Sequence, residues 1–511
     1  MKRILCICLA LLFVFFSVGC TQKPSQDAKN ASAEIAAKAV DDFLEITKVP
    51  RPGYHLDHIR DYLIDFAKKN SFPYERDTYG NVWMDVPATA GYENYPKVIL
   101  QAHTDMICAA EKGYDIDFEN TGLTAIVNEN TITADKTSLG ADNGIGIAII
   151  MAIATSDAPH GPIRALFTAD EDVGLLGAAE LPAEALDADY LINIDDEEPY
   201  EIVCSNAGML RQTSKKTYAT KAPSDGYAVI GISVSGLLGG HSGSDIDKNR
   251  LSAVTVFTDI LSAMKDAGIA FELGSLEVGT ATNAIAPSGD AVLAVPKDAV
   301  PEIKKLSEEL VSRYAADHPD EKPVITVSEN AEAKGGFLSG EDSLEFLSML
   351  SFFPQGVLAM SKKIDGLVQT SSNIGVVSVK DGECSIDTST RSCVTDDLFV
   401  IWTEINAAAQ ETGYTSTVGA AYPGWDGDPN TKLIQLIKKG YEEGSGKTVS
   451  IIPVHAGLEC SWFSQKRQGI QLASIGPKIT DPHSVNETLY IDTIEPCVSA
   501  ILYTLKNINS K

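Results

Sequence analysis

Residues 97–105 read Lys97-Val98-Ile99-Leu100-Gln101-Ala102-His103-Thr104-Asp105, a short apolar strand running straight into an imidazole and a carboxylate. Two more stretches end in the same way. Pro162 to Thr168 leads into Asp170-Glu171-Asp172, and Tyr190 to Ile194 leads into Asp195-Asp196-Glu197-Glu198. Between the first two lies an apolar helical run, Asn143 to Thr155, with Ile145, Ile149 and Ala152 on one face. Strands alternating with helices predict an α/β domain with a mostly parallel sheet, and such sheets gather functional groups at the carboxyl ends of their strands. Three acidic strand ends on one edge would repel each other strongly unless cations sat among them.

Outward from this core, Ser32 to Thr47 has the period of an amphipathic helix, and a second helix carries Ile59, Leu63 and Phe66. Asn81 to Val86 alternates as a half-buried strand would, with Val82, Met84 and Val86 on one side. From Thr213 the pattern changes. Strands such as Ala228 to Val234 and Ala291 to Val295 accompany the helices Arg250 to Ala267 and Val300 to Ala316, and a comparable set recurs between Gln355 and Tyr422. We expect an inserted α+β lid domain over 213–422, between a first catalytic part at 32–212 and a second at 423–511. The second part offers the helix Asn430 to Glu443, the strands Val449 to Val454 and Ile470 to Ile475, then Asp481-Pro482-His483-Ser484 and a final helix, Ile491 to Leu505.

Lys2 and Arg3 precede an apolar run from Ile4 to Val18, too short to span a membrane comfortably and closed by Gly19-Cys20. This resembles a bacterial lipoprotein signal over 1–19, with lipid on the thiol of Cys20, a polar tether over 20–31 and an exported protein anchored on the extracytoplasmic side. The net charge of -29 disfavours nucleic acid or an anionic lipid surface as the main partner. Cys108, Cys204, Cys384, Cys393, Cys460 and Cys497 show no Cys-x-x-Cys spacing and are too sparse for a disulfide scaffold, so they read as mostly buried small apolar residues.

In Ser138-Leu139-Gly140-Ala141-Asp142-Asn143-Gly144-Ile145-Gly146, one carboxylate stands among small residues at the start of a helical run. Taken alone it is a helix cap in a glycine-rich turn. Its company elsewhere suggests more. Two zinc ions about 3.5–4 Å apart need a shared ligand, and zinc accepts imidazole nitrogen and carboxylate oxygen. His103 and Asp195 suit one ion, Asp172 and His483 the other, with Asp142 bridging and the glycines leaving room for ions and substrate. Glu171 is then the natural general base for metal-activated water, and Asp105 suits the task of orienting the His103 ring.

The ordered set Val49-Pro50-Arg51-Pro52, His103-Thr104-Asp105-Met106, Leu139 to Gly144, Glu171-Asp172, Asp195, Gly239-Gly240-His241-Ser242-Gly243, Asn283-Ala284-Ile285, Tyr422-Pro423-Gly424-Trp425, His455-Ala456-Gly457-Leu458-Glu459-Cys460 and Pro482-His483-Ser484 is similar to the di-zinc family of aminoacylases, carboxypeptidases and dipeptidases. The closest likeness is to its bacterial aminoacyl-histidine (Xaa-His) dipeptidases. That resemblance implies zinc-dependent hydrolysis of dipeptides, of Xaa-His type or broad specificity, with two Zn2+ for which Co2+ or Mn2+ can substitute. It implies metal ligation by His103, Asp142, Asp172, Asp195 and His483, catalysis by Glu171, and a lid residue, His241, that reaches the substrate carbonyl. It further implies substrate contacts from Asn283, Arg391 and His455, and a homodimer. Asp172 stands where the family usually has Glu, a shortening that could move or weaken that metal.

Within the same chemistry, a metallocarboxypeptidase or an N-acyl-amino-acid amidohydrolase is the alternative; outside it, a lipid-anchored peptide-binding protein. Gly240-His241-Ser242-Gly243 lacks the form and position of a nucleophile elbow, which argues against a serine hydrolase. The histidines outside these motifs, His55, His58, His160 and His318, read as solvated surface.

Overall fold

The computed structural model describes residues 26–332 and 335–509. An eight-stranded sheet forms its centre. Its strands are β1 (Tyr74–Arg76), β2 (Val82–Val86), β3 (Val98–His103), β4 (Ile163–Thr168), β5 (Tyr190–Asn193), β6 (Glu201–Asn206), β7 (Ser450–Val454) and β8 (Gln471–Ser474), in the order β1-β2-β4-β3-β5-β8-β6-β7. The four middle strands β4, β3, β5 and β8 run parallel, and antiparallel pairs occur only toward the edges, at β1-β2, β2-β4 and β8-β6. The two strands from the C-terminal part sit beside strands from the first part, so one sheet is built from both ends of the chain. The carboxyl ends of β3, β4 and β5 lie on one edge, where the sequence places its acidic runs.

Both faces of this sheet are covered. Helices Gln26–Ile46, Ala141–Ala154, Lys432–Ser445 and Ile494–Asn507 share one apolar cluster, which includes Phe43, Ile147, Ile437, Tyr441 and Ile501. The other face packs Trp83, Ile99, Leu166 and Leu191 against Leu186 and Phe463. Strand β2 is therefore buried on both sides instead of alternating, Trp83 facing one layer and Met84 the other. Helix Ala141–Ala154 is likewise buried all round, because it is sandwiched between the sheet and Gln26–Ile46; a one-sided apolar face is a surface pattern and does not apply. The first helix begins at Gln26, six residues before the periodic stretch, and so takes in residues expected to form the tether.

The lid is a nine-stranded antiparallel sheet. It runs Val324–Glu329, Tyr227–Ser235, Gly289–Pro296, Glu272–Val278, Val368–Lys380, Glu383–Ser392, Gly208–Thr217 and Thr415–Tyr422, with Gly356–Met360 added on Val368–Lys380. Strand Gly208–Thr217 crosses the expected domain start at Thr213 and belongs wholly to this sheet. Helices Ala253–Asp266, Val300–Asp317 and Gly340–Phe352 cover one face, with Phe257, Leu310 and Phe346 in the shared core.

Candidate metal centre

His103 ends β3 and is buried. Its Nε2 lies 2.9 Å from Asp142 Oδ1 and 3.2 Å from Asp195 Oδ1. The second oxygen of Asp142 lies 3.0 Å from His483 Nε2, and the same nitrogen is 2.9 Å from Asp172 Oδ1. The donor atoms therefore form two groups, His103/Asp142/Asp195 and Asp142/Asp172/His483, each within 4.8 Å and joined through one carboxylate. Glu171 stands in a third such group with His103 and Asp172. All five residues expected to bind metal, and the expected base, converge on one point at the strand ends.

These residues fit a pair of divalent cations. Asp172 Oδ2 is buried with no hydrogen-bond partner among the described residues, a costly state for a carboxylate oxygen that a cation would relieve. Oxygen and imidazole nitrogen are the donors such ions accept, and two histidines face an excess of carboxylates. Shortening Glu to Asp at 172 does not remove it from the group, since its Oδ1 still meets His483. Its backbone is held in place: Asp105 accepts the N–H groups of Glu171 (2.8 Å) and Asp172 (3.0 Å). Asp105 Oδ1 is also 3.3 Å from His103 Nδ1, so one carboxylate faces the imidazole and fixes the next loop as well.

Asp142 is not a helix cap. Regular helix begins only after Asn143, so the capping position falls to Asn143, one residue later. The Asn143 amide instead donates to Asp195 Oδ1 (2.6 Å) and accepts from Gly146 N–H (3.1 Å). The glycines serve neighbours more than ions. A Cβ at Gly140 (φ +67°) would meet Arg51 Nη2 at 2.5 Å, and one at Gly146 would meet the Asn143 side chain.

The charges respond to this crowding. Burial pushes the Glu171 carboxyl well above its ordinary range, against the pull of His103. Burial likewise raises Asp195 to about 6 and Glu197 and Glu459 to about 8, with neighbouring carboxylates adding to the effect. His483 is raised to about 11 by its bonds to Asp142 and Asp172. Every one of these groups holds its proton more tightly folded than unfolded. Their stabilising contribution is complete below the unfolded values and fades as pH rises through the folded ones. The melting temperature of chelated protein should therefore fall between pH 5 and pH 8.5, and added divalent cation should raise it more at pH 8.5 than at pH 5; scanning calorimetry reads both.

A second cluster forms between the lid and the loop after β7. His455, in the loop after β7, meets Ser371 Oγ at 2.8 Å through Nε2. Burial, then Arg391 and His241, lowers its pKa to about 4; burial, then Arg391, also lowers His241. Arg391 is thus a buried cation among neutral rings, and its Nε has no hydrogen-bond partner among the described residues. His241 Nδ1 accepts the Gly243 and Ser244 N–H groups (3.3 and 3.2 Å), so its neutral ring carries the proton on Nε2. Asn283 is exposed, and its carbonyl accepts from Ser242 N–H at 2.9 Å.

Other placements differ from expectation. His160 is buried, with Nδ1 2.6 Å from the Gly161 carbonyl, because the strand that follows draws it under the surface. Arg51, Asn143, Glu459 and Glu487, given no role from the sequence, all pack around the donor set. Glu459 accepts from Gln101 (2.6 Å) and Thr168 (2.8 Å) beneath it. Among the described residues the six cysteines from Cys108 onward are free, and all except Cys108 are buried. Cys20 and the expected signal lie outside the described residues.

Residues 99–507 match the profile of peptidase family M20/M25/M40. The chain is 32% identical over 475 residues to the cytosol non-specific dipeptidase of Escherichia coli K12, covering 92% of this chain and 97% of that one. Among solved structures it is similar to aminoacylhistidine dipeptidase from Vibrio alginolyticus, with a TM-score of 0.88 and 30% identity over 93% of this chain and 97% of the other. The aminopeptidase PepT from Bacillus cereus shares the fold, at 15% identity and a TM-score of 0.53. The expectation of an exported, lipid-anchored protein is corrected by this comparison, since the relative that spans nearly the whole chain is a cytosol enzyme. Among the described residues no helix is long and apolar enough to cross a membrane.

Proposed function

We propose that this chain, which belongs to peptidase family M20/M25/M40, hydrolyses dipeptides with a pair of divalent cations, zinc in the first instance. The observation that carries the reading is Asp142, whose two oxygens each face a different histidine at about hydrogen-bond distance, with Glu171 alongside. His103 and Asp195 would hold one ion and Asp172 and His483 the other. Bound there, the ions would supply Lewis acidity toward water and toward a peptide carbonyl.

The remaining steps belong to the chain. Glu171 takes a proton from the attacking water and returns it to the departing amine; its burial makes it receptive to that proton. His241 Nε2–H donates to the carbonyl oxygen as negative charge grows there. Arg391 meets the free carboxylate of the substrate, where a guanidinium binds as a fork and, among the described residues, no carboxylate pairs with it. Ser371 and His455 flank that position. A cation confined to a small buried cluster favours a short substrate with a terminal carboxylate, which is what a dipeptide offers.

Arg391→Ala should raise KM for dipeptides at least about tenfold with a smaller effect on kcat, because a charge-assisted pair contributes on the order of 1.5–3 kcal/mol. Steady-state kinetics on an alanyl-histidine series read this directly. The substrate class itself is tested by a panel of Xaa-His and other dipeptides, tripeptides, longer peptides and N-acylated amino acids. Preference for dipeptides with free amino termini is expected; faster turnover of blocked amino acids or longer peptides would replace this reading with an amidohydrolase or a carboxypeptidase.

A further inference from the structure

We infer that Arg51 and Glu487 are positioning residues that set the spacing of the two metal-binding groups, Arg51 tying the His103 loop to Asp142 and Glu487 tying the His483 loop to it. The inference rests on the metal-pair part of the reading above and is independent of the substrate.

Both side chains are buried, each 2% exposed. They grip the same short segment from opposite sides. The Gly140 carbonyl accepts from Arg51 Nη2, while the Gly140 N–H donates to Glu487 Oε2 at 2.9 Å. Leu139 N–H donates to that same oxygen (2.8 Å), and Asp142 N–H donates to Glu487 Oε1 (3.1 Å). On its other side Arg51 donates through Nη1 to the carbonyls of Thr104 (3.2 Å) and Asp105 (2.8 Å), directly after His103. Glu487 follows His483 by four residues. The two imidazoles that face the two oxygens of Asp142 are therefore each connected to the Asp142 loop by one buried ion, and neither ion is part of the donor groups.

The hydrogen-bond chemistry makes this specific. A guanidinium spreads its donors over a plane and reaches three carbonyls on two loops; an ammonium places its donors at one point. Glu487 needs both oxygens as acceptors, because three N–H groups divide between them. A glutamine keeps the shape but turns one acceptor into a donor, and keeping the pair of bonds to Leu139 and Gly140 leaves the Asp142 N–H facing an NH2 group. Glu487→Gln thus disturbs the bridging residue while sparing most of the packing.

The test is a calorimetric zinc titration of chelated wild-type protein, Arg51→Lys and Glu487→Gln, with the melting temperature of each metal-free protein as control. Wild type should take two equivalents. Each variant should bind at least one equivalent about tenfold or more weakly, and dipeptide turnover at limiting zinc should fall while saturating zinc restores kcat with KM unchanged. A merely structural role would lower the metal-free melting temperature and leave both zinc affinities at wild-type values; that result in either folded variant overturns the inference for that residue. If Glu487→Gln does not fold, Glu487→Asp gives the same readout, since a carboxylate withdrawn by one methylene cannot reach all three N–H groups. A wild type that takes fewer than two equivalents would refute the metal-pair reading, which the variants do not test.

Discussion

Glu171→Gln should keep two metal ions per chain and lose about a thousandfold in kcat, with KM for dipeptides little changed. The substitution preserves volume and removes only the ability to accept a proton, and general base catalysis contributes typically about 10²–10⁴-fold. Glutamine is also the form the site tolerates most readily. Without bound cations burial raises the Glu171 pKa, so a neutral amide adds no desolvation cost to the metal-free chain and folding should be intact. Metal content by emission spectroscopy and steady-state kinetics on the same preparation separate the two effects. Residual activity above a tenth of wild type would remove Glu171 from the chemistry. Loss of metal along with activity would make it a ligand instead, which its proximity to His103 and Asp172 allows geometrically.

Asp142→Asn should abolish turnover by a different route. A carboxylate can offer one oxygen to each of two ions, whereas an amide offers one oxygen and an NH2 group that repels a cation. The variant should therefore bind at most one equivalent tightly, and the affinity for the second should fall by more than the roughly 10–100-fold that loss of an outer hydrogen-bond partner costs. The geometry behind this is the distribution of its two oxygens, Oδ1 toward His103 and Oδ2 toward His483. Two tight equivalents in Asp142→Asn would mean that the groups are filled independently and the bridge is incidental.

The donor set was legible because each member follows a strand or a turn whose pattern is local. Val98 to Ala102 is apolar except for Gln101 and places His103 at a sheet edge; Ile163 to Thr168, apolar except for Arg164 and Thr168, does the same for Glu171 and Asp172. Parallel neighbours then bring those ends together without further instruction. What escaped the sequence are the residues whose partners lie far along the chain. Glu487 bonds to Gly140 across 347 positions and Arg51 to the same glycine across 89, and nothing in either neighbourhood announces the meeting. The period over Asn143 to Thr155 reads as a one-faced helix, whereas Ala141–Ala154 is buried all round because the N-terminal helix packs on the side away from the sheet. His160 reads as surface from the turn formers beside it in sequence, yet it is 2% exposed.

The central claim is that one shared carboxylate organises two cations and that both are needed for hydrolysis. Titrating chelated protein with zinc while following bound metal and dipeptide turnover in the same samples tests it most directly. The account predicts negligible turnover without metal, a rise that accompanies the second equivalent, and a plateau at two ions per chain. Full turnover in metal-free protein, or a plateau of both signals at one ion per chain, would contradict it.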